Sequence, residues 1–191
     1  MKKANFCQLL YIFWYNLVVQ FFHKGDIMSK VCIVYGSSMG NTEEAANLIA
    51  NKLGVDDVYN IGQTDADTIN GYEKIIFGTS TWGSGDLQDE WDSFDFDSID
   101  VNGKTIALFG MGDSSSYSDT YCNGMGILFE KFSAKGAKIV GAVSTDGYTF
   151  DESEAVKDGK FVGLALDADN ESDKTEERIS NWVEQIRSDF A

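Results

Sequence analysis

Ser37, Ser38, Gly40, Asn41 and Thr42 stand between a β-branched run, Val31-Cys-Ile-Val-Tyr, and a helical pattern that begins at once. A strand that stops at Gly36 and gives way directly to a helix aims backbone N–H groups and a helix N-terminus at one point. Such a turn holds an anion. No Lys or Arg lies within it, so the anion would be held by dipoles and hydroxyls alone. Asn41 stands where GxxxxGK[ST] requires Lys, which argues against nucleotide hydrolysis, and the turn also lacks GxGxxG spacing. Read alone, the turn is equally a tight connection.

Two later loops have related chemistry. Gly78-Thr-Ser-Thr-Trp-Gly-Ser-Gly-Asp-Leu sets Trp82 among small residues, and Gly110-Met-Gly-Asp-Ser-Ser-Ser-Tyr does the same for Tyr117. Singly, Trp82 reads equally as an ordinary exposed aromatic, and Tyr117 could simply pack on its own loop. Beside an anion cradle, the pair can sandwich a flat heteroaromatic ring.

The elements must bring these three loops together. Short apolar runs at 31–35, 58–61, 75–79, 105–109 and 138–143 alternate with helical patterns at 42–53 and 124–135 and from about Thr175. Runs without polar alternation, such as Ile75-Ile-Phe and Ile106-Ala-Leu-Phe, predict strands buried on both faces, as in a parallel sheet. Asn41 and Glu44 have capping-box spacing at the first helix. The pattern predicts a doubly wound α/β fold with right-handed crossovers, in which ligands bind beyond the carboxyl ends of the strands. The first, third and fourth strands end in the three loops. Residues 145–173 are too long for a connection and read as an insertion that interrupts or decorates the edge strand.

Charge and residue usage remove other classes. Thirty-one acids against 15 bases give the 191-residue chain a net charge of −16, which repels nucleic acid and anionic membrane and steers basic proteins toward it. A surface kept acidic for solubility is the plainer reading. Cys7, Cys32 and Cys122 form no CxxC pair, and His23 is the single histidine, so neither a zinc site nor a histidine triad can be assembled. Cys32, in the first apolar run, reads as a core residue in a reducing compartment, and the protein is expected in the cytoplasm.

Residues 1–27 do not match the rest. Phe6 to Phe22 is mostly apolar after Lys2-Lys3. It reads as a signal peptide without a small-x-small cleavage pattern, as an anchor at the short limit for spanning, or as sequence upstream of a true start at Met28. The last is the preferred reading, with the folded domain occupying 28–191.

Taken together, Ser37-Ser-Met-Gly-Asn-Thr, Thr79-Ser-Thr-Trp-Gly-Ser-Gly-Asp-Leu and Ala107-Leu-Phe-Gly-Met-Gly-Asp with Tyr117 resemble the phosphate loop and the two flavin-enclosing loops of flavodoxins. Val143-Ser-Thr-Asp-Gly-Tyr and Gly159-Lys-Phe-Val-Gly-Leu-Ala-Leu-Asp resemble the long-chain subgroup, with its loop inserted in the last strand. The resemblance implies a five-stranded parallel sheet of order 2-1-3-4-5 with helices on both faces. It also implies one non-covalent FMN and one-electron carriage with no substrate of the protein's own.

Carried over by residue, Ser37, Ser38, Gly40, Asn41 and Thr42 would hold the phosphate, with Met39 contributing its N–H where the family often has Thr. Trp82 and Tyr117 would cover the two ring faces, Asp113 would meet the polar edge, and Asp146 the ribityl chain. Along the two loops the resemblance adds Thr79, Thr81, Gly83, Ser84, Gly110, Met111, Gly112, Thr120 and Cys122. Asp86, Asp89, Glu90 and Asp113 would surround the ring with negative charge, and the Gly83 carbonyl would turn toward flavin N5. A monomer with basic-faced redox partners follows, such as a flavodoxin or ferredoxin reductase and low-potential oxidoreductases. The alternative is a flavodoxin-fold NAD(P)H:quinone or FMN reductase. A receiver-type signalling module needs Asp where this chain has Thr79-Ser-Thr.

Overall fold

Period-two alternation inside the apolar runs decides the architecture. In the computed structural model, which describes residues 31–191, adjacent residues of each central strand enter opposite cores. Ile33, Ile76 and Ala107 face one core, while Cys32, Val34, Ile75, Phe77, Ile106 and Leu108 face the other. Both faces are therefore covered, which is why the strands carry no polar stripe. The three readings of residues 1–27, and the start at Met28, lie outside the described residues.

The central strands are β1 (Val31–Tyr35), β2 (Val58–Asn60), β3 (Lys74–Trp82) and β5 (Thr105–Met111), all parallel. Between β3 and β5, the short β4 (Asp86–Leu87) folds back antiparallel on the end of β3. The fifth position is shared by two pieces. β6 (Lys138–Val140) pairs with the first half of β5, and β10 (Leu164–Leu166) with the second half. The order is thus β2-β1-β3-β5 with β6 and β10 sharing the edge, which is the expected 2-1-3-4-5 once the antiparallel β4 is set aside and the split last strand is counted once.

The interruption is earlier than the sequence suggests. The predicted strand at 138–143 stops at Val140, where Gly141 turns with φ +86. β7 (Val143–Ser144), β8 (Val156–Lys157) and β9 (Lys160–Phe161) then form a separate antiparallel sheet of order β7-β9-β8. Leu164-Ala-Leu, expected to lie within the insertion, is the strand that returns to the main sheet.

Helices α1 (Asn41–Leu53) and α5 (Ser172–Phe190) pack on one face of the sheet, while α4 (Asn123–Ala134) covers the other. Two short helices without a sequence signal, α2 (Ala66–Asn70) and α3 (Asp89–Asp92), complete the set. Trp91 of α3 is buried against Phe77, Phe96 and Phe132 and donates its indole N–H to the Gly78 carbonyl at 2.9 Å. That contact ties the segment after β4 to the middle of β3. The capping box does not form: Gly40, with φ +97, takes the N-cap position and Asn41 is already helical.

Candidate functional site

The carboxyl ends of β1, β3, β5 and β10 open into one cleft of about 260 Å³. Its floor at β1 is the Ser37–Thr42 turn. Ser37 Oγ accepts the Gly40 N–H at 3.1 Å, closing the turn on itself. Glu44 N–H is the first to bond along the helix, to Gly40 O at 2.9 Å, so the N–H groups of Asn41, Thr42 and Glu43 precede the ladder. No side chain caps them. A 13-residue helix thus directs uncapped donors and the positive end of its dipole at the cleft.

The segment after β4 braces this turn. Gln88 is buried; its Oε1 accepts the Glu90 and Trp91 N–H groups, while its Nε2 donates to Ser38 Oγ at 3.0 Å. Glu90 Oε2 accepts the Ser37 N–H at 3.3 Å, placing a carboxylate directly beside the anion turn. Such close packing needs Gly36, where a Cβ would lie 2.3 Å from Gln88 Oε1 and 2.5 Å from Trp91 Cδ1.

Exposed aromatics form the rim. Trp82 is 36% exposed and Tyr117 51%, against near-complete burial of the other large aromatics of the sheet core. Trp82 donates its indole N–H to Ser80 Oγ at 2.9 Å, and Gly85 N–H returns to Trp82 O at 3.1 Å across a turn in which Gly83 has φ +52. Tyr117 sits between two further turns, donating to Asp113 O at 3.0 Å and accepting from Thr120 N–H at 3.2 Å. Thr120 Oγ1 is buried and unpartnered at the cleft wall.

Two carboxylates define the wall between β5 and β10. The Ser116 backbone N–H, joined by the Asn170 amide and the Ser115 N–H, holds Asp113 down at about 2 against partial desolvation. Burial opposes the ionisation of Asp167, yet donors from Ser114 and Asn170 outweigh it and hold that carboxyl below the ordinary range.

The cleft brings together Ser37, Ser38, Met39, Asn41, Thr42, Thr81, Trp82, Gly83, Met111, Gly112, Asp113, Tyr117 and Thr120 of the expected set. Others lie elsewhere. Gly40 shapes the turn from behind, and Ser84 lies at the outer tip of its own turn. Thr79 is buried and donates to Ser80 O, while Gly110 lies under Met125. Cys122 is also displaced: it is buried at the N-terminus of α4, its Sγ lies 3.6 Å from Gly110 O, and burial pushes its thiol up to about 12. Asp146 belongs to the inserted segment, where it accepts from Ser144 Oγ.

The resemblance puts Asp146 at the ribityl chain, whereas here it lies in the inserted segment after β7. The last strand ends at Leu166, and Ala168 and Asp169 line the cleft. Ser80 is a further lining residue that the aromatic signal of its loop overshadowed. Of the acids expected around the ring, Asp113 lines the cleft, Glu90 sits at the anion turn, Asp86 pairs across from Trp82, and Asp89 is exposed on α3.

Fold and site together define a doubly wound α/β protein whose sheet edge combines an uncapped anion turn with an aromatic-rimmed cleft. The sequence matches the flavodoxin family over residues 33–182, and the chain belongs to that family. It is 44% identical over 165 residues to a flavodoxin of Nostoc sp., covering 84% of this chain and 97% of that one. Identity to a Synechocystis sp. flavodoxin is 48% over 165 residues, with the same coverage. Among solved structures, Fusobacterium nucleatum flavodoxin bound to flavin mononucleotide is similar, with TM-score 0.79 and 31% identity, covering 84% of this chain and 98% of that one.

Proposed function

We propose that the protein binds one FMN in this cleft and carries single electrons between redox enzymes, with no substrate of its own. The observation that carries the reading is the uncapped N-terminus of α1 beside a cleft rimmed by Trp82 and Tyr117. The donor set suits the cofactor: free N–H groups and hydroxyls for a phosphate, and the unpartnered Thr120 Oγ1 for a polar edge. When bound, FMN supplies the one-electron redox chemistry.

The residues around the cleft supply the rest. The N–H groups at Asn41 and Thr42, with the Ser37, Ser38 and Thr42 hydroxyls, hold the phosphate by dipoles without a countercharge. Trp82 and Tyr117 would cover the ring faces and exclude water from them. Asp113 and Asp169 in the wall, with Glu90 at the turn, oppose further negative charge in the cleft and so disfavour a second electron. Redox proteins with basic docking faces, flavodoxin or ferredoxin reductases and low-potential oxidoreductases among them, suit the acidic chain. We place it in the cytoplasm as a monomer; no helix among the described residues is long and apolar enough to cross a membrane.

Reductive titration with dithionite, followed by absorbance, tests the reading. One flavin per chain and two separated one-electron steps are expected. A protein that holds no flavin would overturn it, as would rapid turnover of quinones with NAD(P)H.

A further inference from the structure

The wall that carries Tyr117 is made of two loops from different strands, 113–117 after β5 and 167–170 after β10, and one buried side chain joins them. Asp167 Oδ2 accepts the Ser114 N–H at 2.9 Å and the Ser114 hydroxyl at 2.6 Å. Its Oδ1 accepts the N–H groups of Asp169 and Asn170 at 3.1 and 2.9 Å. Asn170 Nδ2 then bridges back to Asp167, at 3.1 and 3.0 Å, and across to Asp113 Oδ1 at 2.8 Å. Asp113 Oδ1 in turn fixes the Ser115 and Ser116 N–H groups just ahead of Tyr117.

Asp167 is wholly buried, and its hydrogen-bond partners are all uncharged donors. A buried carboxylate kept without a cation is costly unless each oxygen is occupied, and here both are. The arrangement does not serve the sheet, whose ladder closes without it: Gly112 N–H already bonds Leu166 O at 3.0 Å. What it fixes lies one step further out, at the cleft.

We infer that Asp167 is the positioning residue of the ring site: it clasps the Tyr117 loop to the end of β10 and so presets the wall against which a flavin ring lies. The inference rests on the FMN reading above. It separates two halves of the cleft. The ring half depends on the clasp, whereas the anion turn at Ser37–Thr42 is built on β1, α1 and the Gln88 segment and does not.

Asp167→Asn is the discriminating variant. Each carboxylate oxygen faces a backbone N–H, so an amide in either orientation turns an NH₂ group toward a donor and releases one loop. Ser114→Ala removes a single hydroxyl contact and provides a milder change if Asp167→Asn does not fold. The flavin-free full-length chain is titrated with riboflavin, which lacks the phosphate, and separately with inorganic phosphate. Asp167→Asn is expected to weaken riboflavin about ten-fold and Ser114→Ala a few-fold, each leaving phosphate affinity within two-fold of wild type.

Unchanged riboflavin binding in both variants overturns the clasp. So does an equal loss of riboflavin and phosphate, which would assign Asp167 to the fold rather than to the site. If the wild-type chain binds neither riboflavin nor FMN, the FMN reading fails. The clasp is then decided by amide exchange at Ser114–Ser116: faster exchange in either variant supports it, and unchanged exchange in both refutes it.

Discussion

Glu90, expected beside the ring, sits instead at the other end of the cleft, its carboxylate hydrogen-bonded to the first N–H of a turn that is meant to hold an anion. Gln at this position keeps an oxygen for Ser37 N–H and removes the charge. Glu90→Gln should therefore tighten inorganic phosphate two- to five-fold, the range of a partly screened charge, and the gain should shrink with added salt. Equal phosphate titrations of the two proteins at low ionic strength would refute this. Gly83 presents a backbone case. At φ +52 an L-residue is strained, so Gly83→Ala should cost about 1–2 kcal/mol in urea unfolding. It should also lower the first one-electron potential of bound flavin, because Ala resists turning its carbonyl inward. Asp113 makes part of the stability acid-sensitive. Its folded value lies near 2, below that of the unfolded chain, so its stabilisation is complete above about pH 4 and disappears as pH falls through about 2. The difference in unfolding midpoint between wild type and Asp113→Asn should be full at pH 5 and close toward pH 2.

At the scale of elements, the inserted segment reaches the site only through its neighbours. Residues 151–154 pair with 118–123: Asp151 and Glu152 N–H groups bond Ser118 O, and Glu154 N–H bonds Asn123 Oδ1. The segment also rests on α4 at Gly126, where a Cβ would come within 2.7 Å of the Glu154 backbone. Gly126→Ala improves helix propensity by about 1 kcal/mol, yet overpacking of a backbone contact costs about 1–3 kcal/mol. Net destabilisation in urea is expected, with phosphate affinity unchanged; a stabilised variant would show that the insertion yields freely. These seats also explain what the sequence conveyed. Strands β1, β3 and β5 were legible because both their faces are buried, leaving unbroken apolar runs. For the edge strand the insertion was legible but its bounds were not: Val140 and Leu164 lie far apart in sequence, and their shared partner β5 shows where the strand leaves and rejoins the sheet. Asp146, which the resemblance places at the ribityl chain, lies in that insertion, and Ala168 and Asp169 line the cleft. Cys122 was misplaced for a related reason: a loop motif orders residues along the chain but does not say which side chains turn into the core.

Across the whole molecule, charge is the property that local contacts leave unexplained. Six salt bridges occur among the described residues, and they are mostly between exposed or half-exposed side chains, where each contributes little. The excess acid is not consumed in holding the fold together. Three of the 15 bases and one of the 31 acids lie in residues 1–27, so the remainder of the chain is more acidic than the total suggests. Around the cleft the same sign appears on three segments, in Glu90, Asp113 and Asp169, beside the exposed Trp82, Tyr117 and Met39. An apolar rim within an acidic field would steer a basic surface toward the cleft and leave the final contact to short-range packing. Electron transfer to a basic-faced redox partner should accordingly slow as ionic strength rises from about 10 to 500 mM, over which the screening length shortens from roughly 30 Å to below 10 Å. Stopped-flow rates at several protein concentrations would locate the effect: it belongs in the second-order association constant, with the limiting rate at saturation nearly constant. Association rates that did not respond to salt would remove the role assigned to the acidic surface, leaving solubility as its remaining use.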